Sequence, residues 1–324
     1  MCDKSFHSNP KGVDGSGLSP AVLHIVLDLC TRLPYREAQA SLLLQRLPIS
    51  VSGCERLHQA YASLTWRGVK RQLQRQAERP LGAGGGQSWV VQTDGMYVME
   101  RDKPVPGSCE GREVKQAVMY ALDEPQSRQY LAHAGGVEDF SPLVHGLQRQ
   151  VGMRRGDKLI GVADGAPWIN QLFAELGVEV RILDVYHATL YLERVMLAMG
   201  WQASRREAER ASWQRGDINA RVWLRHYLPD PEGWLCWNEE DQAALRYLES
   251  RLEQMDYCDF KKQGYPIGSG VIEGANKSII GARMKRGGMR WSHEGINRMA
   301  TMRCEQASAQ PLMDFDFTRM VAFP

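Results

Sequence analysis

Two aspartates stand where short apolar runs stop, each followed by glycine: Asp94 after Ser88–Thr93 (SWVVQT), and Asp164 after Leu159–Ala163 (LIGVA). A third carboxylate, Glu273, lies in GSGVIEG, a segment whose pattern opens a helix. A charge at the end of a buried strand is costly to desolvate unless it is paired or holds a cation, and sites in such sheets gather at strand ends. Three acids meeting at one spot would repel one another. A hard divalent cation, Mg²⁺ or its substitute Mn²⁺, removes that repulsion and keeps waters and phosphates in its shell. Two such ions about 3.5–4 Å apart promote in-line displacement at phosphorus. That chemistry recruits no nucleophilic side chain, and the sequence has no G-x-S-x-G, Walker or H-E-x-x-H motif. Each piece has an ordinary reading as well. Asp-Gly after a strand makes a turn, and a Glu in a first helical turn is favoured by the helix dipole. The ordered set, followed by a strongly basic segment, is what points to phosphoryl chemistry.

The elements that must position these acids form an α/β pattern. Ser88–Thr93, Glu113–Leu122 and Ser127–His133 read as three strands, and Phe140, Leu143, Val144, Leu147 and Val151 as a helical stripe. Leu159–Ala163 has the continuous apolar character of a doubly covered strand. A helix over Pro167–Leu176 follows, then Val178, Val180 and Ile182 alternate into a fifth strand ending at Asp184. Helices on both faces of a mixed sheet are expected, in the element order of a ribonuclease-H-like core. Residues from about 188 to 259 read as an all-helical insertion that holds five of the nine tryptophans, and Leu245, Leu248, Leu252 and Met255 read as one long helix. For most of these tryptophans helical core packing is the better reading, with stacking on end nucleotides as the other. Gly264-Tyr265-Pro266 then breaks the chain before the helix that carries Glu273.

Ahead of this core, three helices are expected within residues 18–79. They start at Ser19-Pro20, at Tyr35 and at a capping box Ser52-Gly53-Cys54-Glu55. The third would turn Leu57, Tyr61 and Leu64 inward, and Arg56, Arg67, Lys70, Arg71 and Arg75 outward. That arrangement resembles a helix-turn-helix unit with a helix facing phosphates; a merely soluble helical packing unit would look the same. Residues 1–17 read as a loose leader, 80–87 (PLGAGGGQ) as a linker, 88–305 as the core with its insertion, and 306–324 as a tail.

The 324 residues carry 40 Lys+Arg and 38 Asp+Glu, so the net charge is +2, and 43% are apolar, which excludes a mainly disordered chain. No run reaches the roughly 18 apolar residues of a membrane span, and MCDKSFHSNP lacks the apolar core of a signal peptide. A cytosolic, nucleoid-associated protein without membrane contact is expected. Seven cysteines with no Cys-x-x-Cys pair argue for free, buried thiols rather than a zinc unit or a disulfide framework. The charge is uneven: Arg56–Arg79 holds six Lys/Arg against Glu78, and Lys277–Arg303 holds seven against Glu294. Two such blocks in a nearly neutral chain suggest polyanion contacts.

In the order TDG (Thr93-Asp94-Gly95), ADGAPW (Ala163–Trp168), D-x-x-H (Asp184 to His187), GSGVIEG (Gly268–Gly274) and GMRW (Gly288–Trp291), the chain resembles the DDE transposases of bacterial insertion sequences. The resemblance spans roughly residues 18–305. It implies a ribonuclease-H-like catalytic core in which Asp94, Asp164 and Glu273 bind Mg²⁺, with Asp184 and His187 as residues that support the site or position DNA. For His187 a satisfied core histidine is an equal reading. The resemblance further implies cleavage at the terminal inverted repeats of double-stranded DNA, transfer of the 3′-OH to target DNA, and a homo-oligomer. Lys277, Arg283, Lys285, Arg286 and Arg290 follow Glu273 closely enough to neutralise phosphates there. Trp291 could stack on an unpaired base or anchor the segment. Three alternatives stay open: a structure-specific nuclease of the same fold, a non-catalytic DNA-binding regulator or decayed fragment, and, more weakly, a sugar or nucleotide enzyme.

Overall fold

The structure is a computed structural model that describes residues 18–101, 110–228 and 231–312. The leader at 1–17 and the end of the tail beyond 312 lie outside the described residues. Three helices come first: α1 (Pro20–Arg32), α2 (Tyr35–Leu44) and α3 (Val51–Ala77). Strands β1 (Ser88–Glu100), β2 (Glu110–Ala121) and β3 (Gln129–Ala134) follow, then α4 (Val137–Gln150), β4 (Lys158–Ala163), α5 (Pro167–Glu175) and β5 (Val180–Leu183). The strands form one five-stranded sheet in the order β3-β2-β1-β4-β5. β1–β2 and β2–β3 pair antiparallel, whereas β1–β4 and β4–β5 pair parallel. This is the mixed α/β sheet that the alternating pattern predicts.

β1 is longer than expected. Its parallel pairing with β4 stops at Gln92, opposite Val162, but its antiparallel pairing with β2 continues to Glu100. Asp94 therefore sits within β1, two residues past the point where β4 ceases to pair, and not at the strand end. β2 goes on supplying hydrogen-bond partners there, so Asp-Gly does not end the strand. Val98 and Glu100 are buried while Tyr97 and Met99 are exposed, the alternation of a one-sided strand. Gly95 suits this register, because a Cβ there would overlap the Glu113 carboxylate.

The sheet separates two apolar layers. Val90, Val98, Val118, Ile160 and Val162 join the helices after β5 on one face. Trp89, Val91, Ala117, Met119 and Leu159 join α4 and α5 on the other, together with Val69 and Leu73 of α3. Side chains of alternate parity go to opposite faces, and each fully buried aliphatic or aromatic residue contributes roughly 1.5–3 kcal/mol. α3 lies directly on α4: a Cβ at Gly146 would overlap the Leu73 carbonyl.

Two details of α3 differ from the sequence reading. Its N-cap is Ser50, whose Oγ accepts from the Gly53 N–H at 3.1 Å, in place of Ser52. Leu64 is half exposed, because the inward stripe runs Cys54, His58, Tyr61, Thr65, Val69, Leu73. A purely apolar template misses that stripe: it includes His58 and Thr65, and His58 bonds Thr31 Oγ1 at 3.1 Å and the Tyr35 hydroxyl at 3.2 Å.

After β5 come α6 (Val185–Ala198), α7 (Ala203–Gln214), α8 (Ala220–Tyr227), α9 (Pro231–Trp234), α10 (Glu239–Glu249), a 3-10 turn (Leu252–Gln254) and α11 (Tyr257–Lys262). The single long helix expected through Met255 breaks after α10, where Arg251 turns to donate to the Gly165 carbonyl at 3.3 Å. Trp213 and Trp223 are buried, and Trp201, Trp234 and Trp237 pack against the same core. The chain ends, as described, with α12 (Gly270–Ala275), a π-helical segment (Asn276–Gly281), α13 (Ala282–Met284) and α14 (His293–Ala307). Five cysteines are free among the described residues; Cys30, Cys54 and Cys304 are buried, but Cys236 is exposed. No helix among the described residues is long and apolar enough to cross a membrane.

Candidate active site

Asp94, Asp164 and Glu273 arrive on three elements whose positions are fixed by neighbouring polar side chains. Asp94 rides on β1, where its Oδ1 accepts from the Gly95 N–H at 2.7 Å. Asp164 follows β4 and closes a turn by accepting from the Ala166 N–H at 3.0 Å, just before Pro167 starts α5. Gly165 has φ 77°, the left-handed conformation that glycine adopts without penalty. The Tyr247 hydroxyl donates to the Asp164 carbonyl at 2.6 Å, so the helical insertion holds this turn from outside.

Glu273 is on α12, which Gln92 docks onto the sheet. Gln92 is buried two residues before Asp94 and faces the same side of β1. Its Oε1 accepts from the Ile272 N–H at 3.1 Å, and its Nε2 donates to the Gly268 carbonyl at 3.4 Å. Asp184, buried at the end of β5, holds the entry to α12: its Oδ2 accepts from Ser269 N at 2.6 Å and Ser269 Oγ at 2.9 Å. Its Oδ1 caps α6 through the His187 N–H at 2.6 Å. Ser269 Oγ also lies 3.0 Å from Glu273 Oε1. Asp184 is thus a structural strut behind Glu273. His187 places its ring edge-on to Tyr191 and Tyr247, with centroids at 5.4 and 6.1 Å. Those two tyrosines stack at 3.8 Å. His187 belongs to the aromatic layer behind the Asp164 turn.

Three residues of the site were not singled out from sequence. Asn276, one turn past Glu273, donates from Nδ2 to Asp94 Oδ2 at 2.5 Å. Gln116 of β2 in turn donates to Asn276 Oδ1, and Gln92 is the third. Register supplies the only sequence signal: Gln92 shares parity with Asp94 along the strand, and Asn276 shares a helix face with Glu273 at i, i+3.

The Asp94 carboxyl is pushed up to about 6, first by burial and then by the charges of Asp164 and Glu273, against the opposing bonds from Gly95 and Asn276. Asp164 and Glu273 are therefore each within electrostatic reach of Asp94. They are not drawn together at ligating distance: among the described residues no group of three or more His, Cys, Asp or Glu is arranged to hold a metal ion. Glu273 is turned to Ser269, and Asp94 to Asn276. An acid that is desolvated and repelled by two others, with only neutral donors opposing, is nonetheless a donor set suited to a hard divalent cation.

The basic residues divide. Lys277, Lys285 and Arg290 are exposed beyond α12, as are Arg67 and Arg71 on α3. Lys70 is half exposed, with its ammonium 5.9 Å from the Trp66 ring centroid. Arg286 is exposed but pairs with Glu37 at 2.9 Å. Arg283, expected in the surface row, is only 2% exposed and reaches the Cys30 carbonyl at 3.4–3.5 Å. It follows two turns of helix whose inward face it shares with Ile279 and Ile280. Trp291 is an anchor: its Nε1 donates to the Met284 carbonyl at 3.0 Å, and its backbone pairs with Met99 and Arg101.

No family model matches the chain, and no curated protein matches it. Among solved structures it is similar to a Mos1 strand transfer complex, with 11% identity, a TM-score of 0.20, and coverage of 79% of this chain and 81% of that one. A pre-cleavage Mos1 transpososome is similar with 11% identity, a TM-score of 0.19, and coverage of 79% and 82%.

Proposed function

We propose that this chain is a DDE-type transposase of a bacterial insertion sequence, with a ribonuclease-H-like core. The observation that carries this reading is the bond from Asn276, three residues past Glu273, to Asp94 Oδ2 at 2.5 Å, which sets the helix bearing Glu273 against the strand bearing Asp94; burial, and then the charges of Asp164 and Glu273, push the Asp94 carboxyl up accordingly. The sheet order, with one acid on the central strand, one after its parallel neighbour and one on a helix beyond the insertion, supports the same reading. So do the exposed cations Lys277, Lys285 and Arg290, which follow Glu273 along the chain.

Asp94 and Asp164 would hold one Mg²⁺, or Mn²⁺ in its place, and Glu273 would complete a second position. When bound, such ions supply Lewis-acid activation and charge neutralisation at phosphorus. The protein's own groups do the rest. Asn276 aims Oδ2 of Asp94, Gln92 fixes α12 against β1, and Ser269 sets the Glu273 carboxylate. Lys277 and Lys285 attract the backbone phosphates near the bond to be cut, and Arg290 those farther along the strand. Water attacks the phosphodiester in line and releases a 3′-OH, which then attacks target DNA at the same centre. No side chain becomes bonded to DNA. Terminal inverted repeats and target DNA are the partners, and a homo-oligomer brings two ends together.

The test is cleavage of a duplex carrying the element's end in Mg²⁺. Asp94→Asn, Asp164→Asn and Glu273→Gln should each abolish nicking while retaining end binding. Undiminished nicking by any one of them removes that residue from the site. Joining of 3′ ends to a second duplex separates a transposase from a nuclease of the same fold.

A further inference from the structure

A second charged site lies away from the acids, between the N-terminal helices and the segment that follows α13. A cavity of about 310 Å³ opens there, with Arg283, Tyr35 and Trp291 on its wall, and Glu55, Arg101 and Arg290 also lining it. Arg283 is 98% buried by accessible surface (2% exposed), and among the described residues no carboxylate is paired with it. Its hydrogen bonds go to the Cys30 carbonyl at 3.4 and 3.5 Å and to the Met289 thioether at 3.7 Å. The guanidinium lies 5.6 Å from the Tyr35 ring centroid and 5.2 Å from that of Trp291. Aromatic faces steady a cation but do not neutralise it. A buried charge without a counter-charge is strongly unfavourable. A guanidinium carries five N–H donors in a planar fork, and three long contacts leave part of that fork unspent.

We propose that this cavity is a phosphoryl-binding pocket in which Arg283, steadied between Tyr35 and Trp291, takes one phosphate group. The ligand supplies the anion that the chain itself does not provide. A fork of N–H donors suits two phosphoryl oxygens at once. Arg101 and Arg290 add positive charge at the cavity wall, and Glu55 opposes it. The pocket deepens the DNA reading above by assigning one phosphate contact outside the acid site. It does not depend on cleavage, so its test is free of metal and turnover.

The test is thermal denaturation of the full chain in EDTA, with inorganic phosphate titrated against chloride at constant ionic strength. Phosphate should raise the midpoint saturably. Arg283→Met, which keeps the apolar stem and removes the fork, should lose that response. Glu55→Gln should lower the half-saturating phosphate concentration about three- to tenfold, and it decides the matter should Arg283→Met not fold. No phosphate-specific shift, an undiminished shift in Arg283→Met, or an unchanged half-saturation in Glu55→Gln overturns the proposal. The source is set by competition between a short 5′-phosphorylated oligonucleotide and its unphosphorylated form. Stronger competition by the former assigns a strand end, equal competition an internal backbone phosphate, and no competition by either free phosphate. Because Asp94→Asn leaves this pocket intact, loss of cleavage and loss of phosphate binding are separately readable.

Discussion

Asp157 and Asp94 lie just beyond opposite ends of the β1–β4 pairing, and their surroundings are opposite in kind. Asp157, just before β4, accepts from Gln87 N at 3.0 Å, Trp89 Nε1 at 3.0 Å and Arg154 N at 2.8 Å. Although burial opposes it, those donors hold its carboxyl below the usual carboxylate range. Asp94 receives one backbone N–H and one amide, faces two further acids, and is pushed up to about 6. One end of the sheet spends its polar groups on stability, and the other leaves negative charge uncompensated. Proteins tolerate such local conflict at functional sites and offset it elsewhere.

The sharpest break in that contrast is chemical. Asp164→Asn or Glu273→Gln should lower strand cleavage about 10³-fold, as loss of a preorganised charge-stabilising group does, with little change in unfolding. At the other end the effect should reverse: Asp157→Ala should cost about 3 kcal/mol, because three donors lose a charged acceptor in a buried place, and cleavage per folded molecule should be unchanged. The sign with pH follows from the lowered folded-state value. The Asp157 contribution is fully present above the ordinary value of 3.8 and is lost as the pH falls below it. Denaturant unfolding from pH 3 to 7 checks this; equal stability of Asp157→Ala and the parent at pH 7 would contradict it.

The same contrast shows what was legible in the sequence. The strands, the crossover helices and the insertion follow from apolar periodicity, because burial on one or both faces writes itself into residue order. The three candidate acids stand out in the sequence because charge beside apolar runs is anomalous. The struts were not: Gln92, Gln116 and Asn276 are neutral, unexceptional residues whose roles exist only in register. The segment 80–87 looked like a linker by composition, yet Lys158 N donates to the Gln87 carbonyl at 2.9 Å and Asp157 grips the Gln87 N–H. A Cβ at Gly85 would fall 2.5 Å from the Gly156 carbonyl carbon, so its glycines permit close packing as well as bending. Composition reports conformational freedom and says nothing of the partner that removes it.

Asn276→Ala sharpens the comparison from inside the site. It deletes the side-chain donor to Asp94 Oδ2 and leaves Gln116 Nε2 without its acceptor. Supporting partners of this kind are typically worth about 10–100-fold in metal affinity or activity. Cleavage should fall by that factor and recover in part at higher Mg²⁺. A loss of thermal stability with cleavage rate intact would make Asn276 a packing residue only.

The smallest effect has the opposite sign and tests the premise most directly. In the metal-free protein Asp94 titrates near 6 when folded, against 3.8 ordinarily. A folded-state value above the unfolded one means that the folded chain binds the proton more tightly. Stability is therefore lost as the pH rises from 3.8 to about 6, and the full penalty applies above that. A shift of this size corresponds to about 3 kcal/mol, reduced to about 1–2 kcal/mol because solvent reaches part of the group. Asp94→Asn should accordingly stabilise the protein in EDTA at pH 8 and do almost nothing at pH 4. Mg²⁺ should then stabilise the parent and not the variant, since the cation and the proton answer the same excess of charge. Thermal midpoints at pH 4, 6 and 8, with and without Mg²⁺, measure both. If the gain from Asp94→Asn is the same at pH 4 and pH 8, Asp94 does not carry the repulsion on which the whole site reading stands.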